Sequence, residues 1–294
     1  MKSEVLDFLS KRPKAVACYG YGSGVFKQTG YTKKDKPQID LIIVVDDLKK
    51  WHLENIKLNP KDYSLLGKNF FKKKSIDKIK GDTGIVYVSN IKYNGNIYKY
   101  GTIEEKDLIN YLNSWDSFYL PGRFQKNLLP IVGKNVIDKA NKNNRDNALR
   151  VALLTLEKDN INLVDIYTQI CSLSYLGDTR MKFAENPHKV FNIVTGSFEF
   201  FKETYGNTSI YYKMNKKGII TIAYDKLLSD IKLLPSSLNI ESTDINEIRN
   251  SIYNYLIPLN KKESTNQTLK GLKSNGIIKS IKYALKKIAK RRKK

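Results

Sequence analysis

The chain has 294 residues, a formal net charge of +23, 41% hydrophobic residues, two cysteines and two histidines. That length and apolar fraction suffice for one large core or two medium ones and exclude disorder of the whole chain. The longest apolar runs, at residues 41–45 and 151–154, fall far short of the ~20 residues that a membrane-crossing helix needs, and Cys18 with Cys171 can build neither a disulfide framework nor a usual four-ligand Cys/His zinc site.

In chain order, Ser3 can cap a short helix with Val5, Phe8 and Leu9 on one face, and its Glu4 and Asp7 are unlike a secretory or mitochondrial leader. Residues 15–19 read as a buried strand that enters the glycine-rich segment Gly20-Tyr-Gly-Ser-Gly-Val25. The continuous apolar run at 39–45 suits a central strand. Between 47 and 80 the spacing turns helical, with Trp51, Asn55 and Leu58 in one stretch and Tyr63, Leu66, Phe70 and Phe71 in the next. Runs at 85–93 and 97–103 flank Asn94-Gly95, a strong hairpin signal.

Helices are expected next at 106–115, 145–157, 163–173 and 187–205, followed by an alternating pair at 209–214 and 219–224. Three helices before a hairpin resemble a winged-helix arrangement. A further helix starts near Asp244, with Glu247 three residues on, and runs to about Ile257 before Pro258. Residues 261–267 read as a polar linker. From 270 to 294 there are eleven Lys/Arg and no acid, with Ile277, Ile278, Ile281, Leu285 and Ile288 at helical spacing among Lys279, Lys282, Lys286, Lys287 and Lys290. Such a helix can lie in the plane of an anionic bilayer, its apolar side among acyl chains. A solubilising or RNA-binding arm is the competing reading.

Gly22-Ser23-Gly24 between a strand and a helical segment can present backbone N–H groups and one hydroxyl to a phosphate chain. It lacks both the Gly-Lys-[Ser/Thr] ending of a P-loop and the GxGxxG spacing of a dinucleotide fold, and an ordinary turn would read the same. Asp40 adds chemistry, because a carboxylate in an apolar strand needs a partner, and a metal ion is one. A Gly-Ser turn followed by an acid-bearing strand is the pattern of polymerase-β-like nucleotidyltransferases. Their usual second acid, two residues on, is here Ile42. Asp46 cannot replace it within the strand, being ~20 Å further along.

Taken together, the chain resembles the mitochondrial-type phosphatidate cytidylyltransferase family, also called CDP-diacylglycerol synthases or translocator assembly and maintenance proteins. The likeness rests on Tyr21-Gly-Ser-Gly-Val-Phe26, Ile39-Asp-Leu-Ile42, Val45-Asp-Asp47 with Trp51-His52 and Asn55, and Tyr100-Gly101. It continues through Gly122-Arg-Phe-Gln-Lys126, Leu173-Ser-Tyr-Leu-Gly-Asp-Thr-Arg-Met181, Val190-Phe-Asn-Ile-Val194 and Leu269-Lys-Gly271.

The resemblance implies an α+β protein. A polymerase-β-like nucleotidyltransferase domain at 1–115 would be followed by a helical winged-helix-like domain at 116–235. The C-terminal helical region, 236–294, would carry a basic amphipathic membrane-binding tail from about 270, in which Ile277, Ile281, Lys282, Leu285, Lys286 and Ile288 meet the bilayer. It further implies CTP and phosphatidate as substrates, CDP-diacylglycerol and pyrophosphate as products, and Mg²⁺ as cofactor. Asp40 would hold the metal. Gly22, Ser23, Gly24 and Lys99 would bind nucleotide. Asp178 is the candidate second catalytic acid, and Arg123, Lys126, Arg180 and Lys189 are candidate phosphate contacts. Asp178 and Arg180 could equally form a structural ion pair or loop cap, Arg123 and Lys126 could be solvated surface cations, and His52 is expected to be structural. The short stretch before the glycine motif suggests a prokaryotic member on the cytoplasmic face of a cell membrane, without a nucleic-acid partner. The alternatives are an RNA-extending nucleotidyltransferase and a non-catalytic nucleic-acid-binding winged-helix protein.

Overall fold

Strand β2 (Ile39–Val45) is apolar at every position but Asp40 and is almost wholly buried, as a strand with neighbours on both sides must be. In the computed structural model, which describes residues 1–26, 37–133, 135–183, 186–206 and 210–275, it is the middle of five strands. Antiparallel β1 (Ala17–Tyr21) lies on one side of it and parallel β4 (Asn96–Glu104) on the other. Strand β3 (Val86–Tyr93) pairs with β4 through the Asn94-Gly95 turn, where both residues adopt the positive φ that a tight hairpin requires. The fifth strand, β5 (Leu129–Val132), adds to the free side of β1. The sheet order is thus β3-β4-β2-β1-β5.

Ile39, Leu41, Ile43 and Val45 face one core with Phe8 of α1 (Lys2–Ser10), Trp51 of α2 (Leu48–Leu58), Phe71 of α3 (Leu65–Lys73) and Ile79 of α4 (Ile76–Lys80). Helix α5 (Glu105–Ser114) follows β4, and Trp115, at φ 60°, ends it one residue earlier than the pattern suggested. The chain divides into two units. Among the described residues, the first comprises those of 1–110, 128–138 and 266–275. The second comprises 111–127 and 139–265. The first unit therefore reaches beyond the expected boundary at 115, because its sheet takes a strand from residues 129–132.

The second unit is helical. It contains α6 (Pro121–Phe124), α7 (Asp138–Thr155, from Lys139), α8 (Leu163–Ser172), α9 (Thr179–Phe183), α10 (Lys189–Gly196) and α11 (Phe198–Phe201). The hairpin β6 (Tyr212–Met214) and β7 (Ile220–Ile222) comes after them, in the expected order. Helix α12 (Tyr224–Ser229) and α13 (Ile245–Asn275) complete the described chain. Its core joins Trp115, Leu153, Tyr167, Phe201, Ile252 and Leu256.

Three expectations are corrected. The helix foreseen at 187–205 is broken at Gly196-Ser197 into α10, α11 and a wider turn at Lys202–Gly206. Helix α7 begins seven residues earlier than the pattern gave, because Asn141, Asn144 and Asn147 are buried and bonded rather than solvated: Asn144 accepts from Trp115 Nε1 at 2.9 Å and donates to the Pro121 carbonyl at 3.1 Å. Helix α13 does not stop at Pro258 but runs through it and through the supposed linker. Polar residues there are packed inside, with Asn260 buried and donating to the Leu173 carbonyl at 2.9 Å. Residues 277–288, on which the membrane-tail expectation falls, lie outside the described residues.

Candidate active site

In the first unit, the register of β1, β2 and β4 sets Tyr21, Asp40 and Lys99 side by side in one row across the sheet. Directly paired residues share a face. The turn after β1 folds back through Val25 and Phe26 N–H bonds to the Gly22 carbonyl. Gly22 has φ +75°, and a Cβ on Gly24 would collide with the Gln38 carbonyl, so this close return of chain onto β2 admits only glycine. The result aims Asp40 at the turn: its Oδ2 lies 3.6 Å from where a Cβ on Gly22 would stand.

Lys99 Nζ is 3.9 Å from Asp40 Oδ1, a loose pair in which both side chains keep more than a quarter of their surface exposed. The ammonium also lies 4.4 Å above the ring of Tyr87, a cation–π arrangement. Tyr87 can lie there because its partner on β4 is Gly101, where any Cβ would strike the ring. Its hydroxyl is 3.5 Å from that of Tyr21. Ile42, at the position of the missing second acid, is fully buried. Among the described residues, no group of three His, Cys, Asp or Glu side chains could hold a metal ion.

His52 lies on the opposite side of the sheet, sealed between Tyr63 (2.8 Å from Nδ1) and Thr102 (2.5 Å from Nε2) and stacked on Phe71. Burial lowers its pKa to about 3, so the ring is neutral at pH 7. Asn55 joins the same network, donating to the hydroxyls of Tyr63 and Tyr100 at 2.8 Å each. The Trp-His…Asn and Tyr-Gly motifs are therefore one buried polar brace behind the strand that bears Asp40, and His52 has the structural role expected of it.

The second unit gathers the other candidate residues. Asp178 is buried, with its side chain 2% exposed, and Arg180 grips it at both oxygens: Nε to Oδ1 at 2.9 Å and Nη2 to Oδ2 at 2.5 Å. The Arg180 backbone N–H adds a 2.9 Å bond to Oδ1. Burial would raise the Asp178 pKa, but the Arg180 bonds and charge, with Lys189 behind them, outweigh it and hold the carboxyl below the usual range. Asp178 thus has both oxygens engaged by Arg180, as a structural ion pair and loop cap would.

Around this pair stand three further cations. Lys126 donates to Ser174 Oγ at 2.6 Å and lies 4.4 Å over the Tyr175 ring, which Lys189 approaches to 5.4 Å. The Arg123 guanidinium lies 3.7 Å over Tyr119 and donates to that residue's carbonyl. Arg123 and Lys189 both act electrostatically on the Arg180–Asp178 pair. Arg180 and Lys189 thus act on the one acid, Arg123 acts on Arg180, and Lys126 shares the Tyr175 ring with Lys189. Tyr21, Tyr87, Tyr119, Tyr175 and Ser174 complete these two arrangements without having been singled out from the sequence. Their signal was adjacency: Tyr21 begins the glycine motif, and Ser174-Tyr175 lies inside the Leu173–Met181 one.

The geometry defines an α+β protein in which an acid on the central strand faces a glycine-built turn. A family model described as "Phosphatidate cytidylyltransferase, mitochondrial" matches residues 4–227, and the chain belongs to that family. Relatives carrying the same name are 45% identical in Schizosaccharomyces pombe, covering 63% of this chain and 47% of the relative, and 36% identical in Saccharomyces cerevisiae, covering 90% and 64%. One from Dictyostelium discoideum is 31% identical, covering 99% of this chain and 85% of its own length. The chain spans about half the length of the fission yeast relative and just under two thirds of the budding yeast one. Among solved structures, a nucleotidyltransferase-like protein from Exiguobacterium sibiricum is similar at 10% identity and a TM-score of 0.26, covering 93% of this chain and 77% of that one, too remote to inform the fold. Among the described residues, no helix is long and apolar enough to cross a membrane.

Proposed function

We propose that the chain is a phosphatidate cytidylyltransferase that joins CTP and phosphatidate into CDP-diacylglycerol and pyrophosphate, on a polymerase-β-like nucleotidyltransferase unit. The observation that carries this reading, beside family membership, is the Asp40 carboxylate aimed at the Gly22 turn with Lys99 next to it.

In the reaction, an oxygen of the lipid phosphate attacks the α-phosphorus of CTP in line. The new P–O bond forms as the bond to the β-phosphate breaks. A phosphate monoester has a second pKa near ~6, so the nucleophile is already ionised at pH 7 and no side chain has to remove a proton. That suits a chain whose buried His52 stays neutral and away from Asp40. The work left to the protein is to align anions and offset their charge.

The Gly22–Gly24 backbone and the Ser23 hydroxyl are suited to the triphosphate, and Lys99 to a phosphate oxygen beside it. Asp40 fits Mg²⁺, which is commonly held by one or two carboxylates plus substrate phosphates, and one carboxylate meets the lower limit. When bound, the ion would offset charge on the triphosphate. Arg123, Lys126 and Lys189 are suited to phosphate binding, and Arg180 mainly holds Asp178 while its exposed edge adds charge. The substrates, anionic and in one case a bilayer lipid, favour a peripheral protein at a membrane surface, on the cytoplasmic face of a prokaryotic cell or the matrix side of the inner mitochondrial membrane.

The test is incubation with labelled CTP, Mg²⁺ and dispersed phosphatidate, with wild type, Asp40→Ala and Ser23→Ala in parallel. Label entering the organic phase with wild type and not with Asp40→Ala supports substrate and site together. Label entering added RNA instead overturns the reading.

A further inference from the structure

Helical spacing between residues 47 and 80 sets Leu58 and Leu66 in line with core residues, yet neither is buried. Leu58 is 62% exposed, Leu66 is 74% and its neighbour Leu65 is 78%, the three largest exposures among the described bulky apolar side chains of the first unit. All three fall on the hairpin formed by the end of α2, the short turn at Pro60–Asp62 and the start of α3. The hairpin is firmly founded beneath them: Tyr63 and Phe71 are buried against His52, and Ser64 caps α3 by accepting from the Gly67 N–H at 3.1 Å. Exposed leucines on a rigid base are therefore a fixed feature of the surface. Protruding apolar groups of this kind mark contact surfaces.

Charge identifies the contact. Between residues 55 and 76 the sequence has six lysines, at 57, 61, 68, 72, 73 and 74, and one acid. That acid, Asp62, is already taken by Arg12 at 2.8 Å. All the lysines except Lys68 are exposed. A second copy of this surface is a poor occupant, since a two-fold contact would set six lysines against six. A bilayer rich in anionic lipid fits both features: leucines enter the acyl boundary while lysines meet headgroups.

We infer that the α2–α3 hairpin is a membrane-docking element, through which Leu58, Leu65 and Leu66 insert shallowly into anionic lipid and the surrounding lysines hold the first unit to the surface. The inference rests on the reading of the substrate as a phosphorylated lipid and adds a contact separate from the basic C-terminal segment. It holds the unit bearing Asp40 at the surface where such a lipid resides.

The experiment uses the full chain with Leu65→Cys carrying a polarity-sensitive fluorophore. Selective labelling is feasible because Cys18 and Cys171 are both buried, and burial pushes both thiols up. A label at Glu247→Cys, on the second unit, reports recruitment by any other route. Vesicles of equal parts phosphatidylglycerol and phosphatidylcholine should shift the residue-65 emission to the blue and leave residue 247 unchanged, while pure phosphatidylcholine should do neither. In parallel, Leu65→Glu combined with Leu66→Glu should raise the KM for phosphatidate in vesicles about tenfold and leave kcat on dispersed short-chain phosphatidate unchanged. Flotation without a shift at residue 65, an equal shift with neutral vesicles, a concentration-dependent shift without lipid, or no flotation at all overturns the inference. The short-chain assay scores catalysis separately, so failure of docking and failure of the cytidylyltransferase reading give different results.

Discussion

Asp40 and Asp178 are the same residue type in opposite settings in the two units. Asp40 stands on the central strand of a sheet, about a quarter exposed, with Lys99 at a loose 3.9 Å. Asp178 sits on a loop, almost fully buried, with a guanidinium closing on both oxygens. Burial, rather than the sequence motif, separates the two, since both acids lie in family-like segments.

The sharpest way to break that contrast is to neutralise each acid. Asp40→Asn should cut CDP-diacylglycerol formation by about 10²-fold or more with the thermal midpoint unmoved. A large stability loss in that variant would make Asp40 structural. Asp178→Ala should instead leave Arg180 with its charge uncompensated. A destabilisation of about 2–3 kcal/mol is expected, at or below the low end for a buried pair because the guanidinium is partly exposed. It should appear as a lower urea midpoint with activity per folded molecule retained.

Acid should separate the units next. His52 has a folded pKa of about 3 against an ordinary 6.5, so the unfolded chain binds the extra proton between those values. The first unit should therefore lose stability as pH falls from about 6.5, by up to about 1.4 kcal/mol per pH unit. The Asp178 pair has a lowered carboxyl pKa, so its contribution persists above the ordinary 3.8 and is lost only as pH falls through the lower folded value. Trp51 belongs to the first unit and Trp115 to the second, so Trp115→Phe leaves a reporter of the first alone. Its unfolding midpoint should fall between pH 6 and 4, and a flat profile would contradict the buried neutral ring. The smallest effect is expected of Lys99→Gln, about a tenfold rise in KM for CTP, while Lys92→Gln, which removes a lysine from the neighbouring strand β3, should change nothing.

The central strand, the hairpin at Asn94-Gly95 and the pairing of a glycine turn with Asp40 were legible because each depends on local pattern: a continuous apolar run, a turn dipeptide, a glycine beside a strand end. Strand β5 was not. It has four residues, includes Pro130 and shows no alternation, and a proline is tolerated there because the strand lies at the sheet edge. The tyrosines around Lys99 and Lys126 carried no signal of their own in so tyrosine-rich a chain. Only the strand register brings Tyr87 over Gly101 and beside Lys99. The buried asparagines of α7 and α13 failed for a related reason, since polarity in a sequence does not distinguish a solvated face from a hydrogen-bonded interior.

The late arrival of β5 bears on how the protein is made. During synthesis, β1 has one bare margin until residues 129–132 emerge, so the sheet carrying Asp40 is finished only after the first segment of the other unit has left the ribosome. A fragment cut at residue 115 would keep that margin open to stray strand pairing.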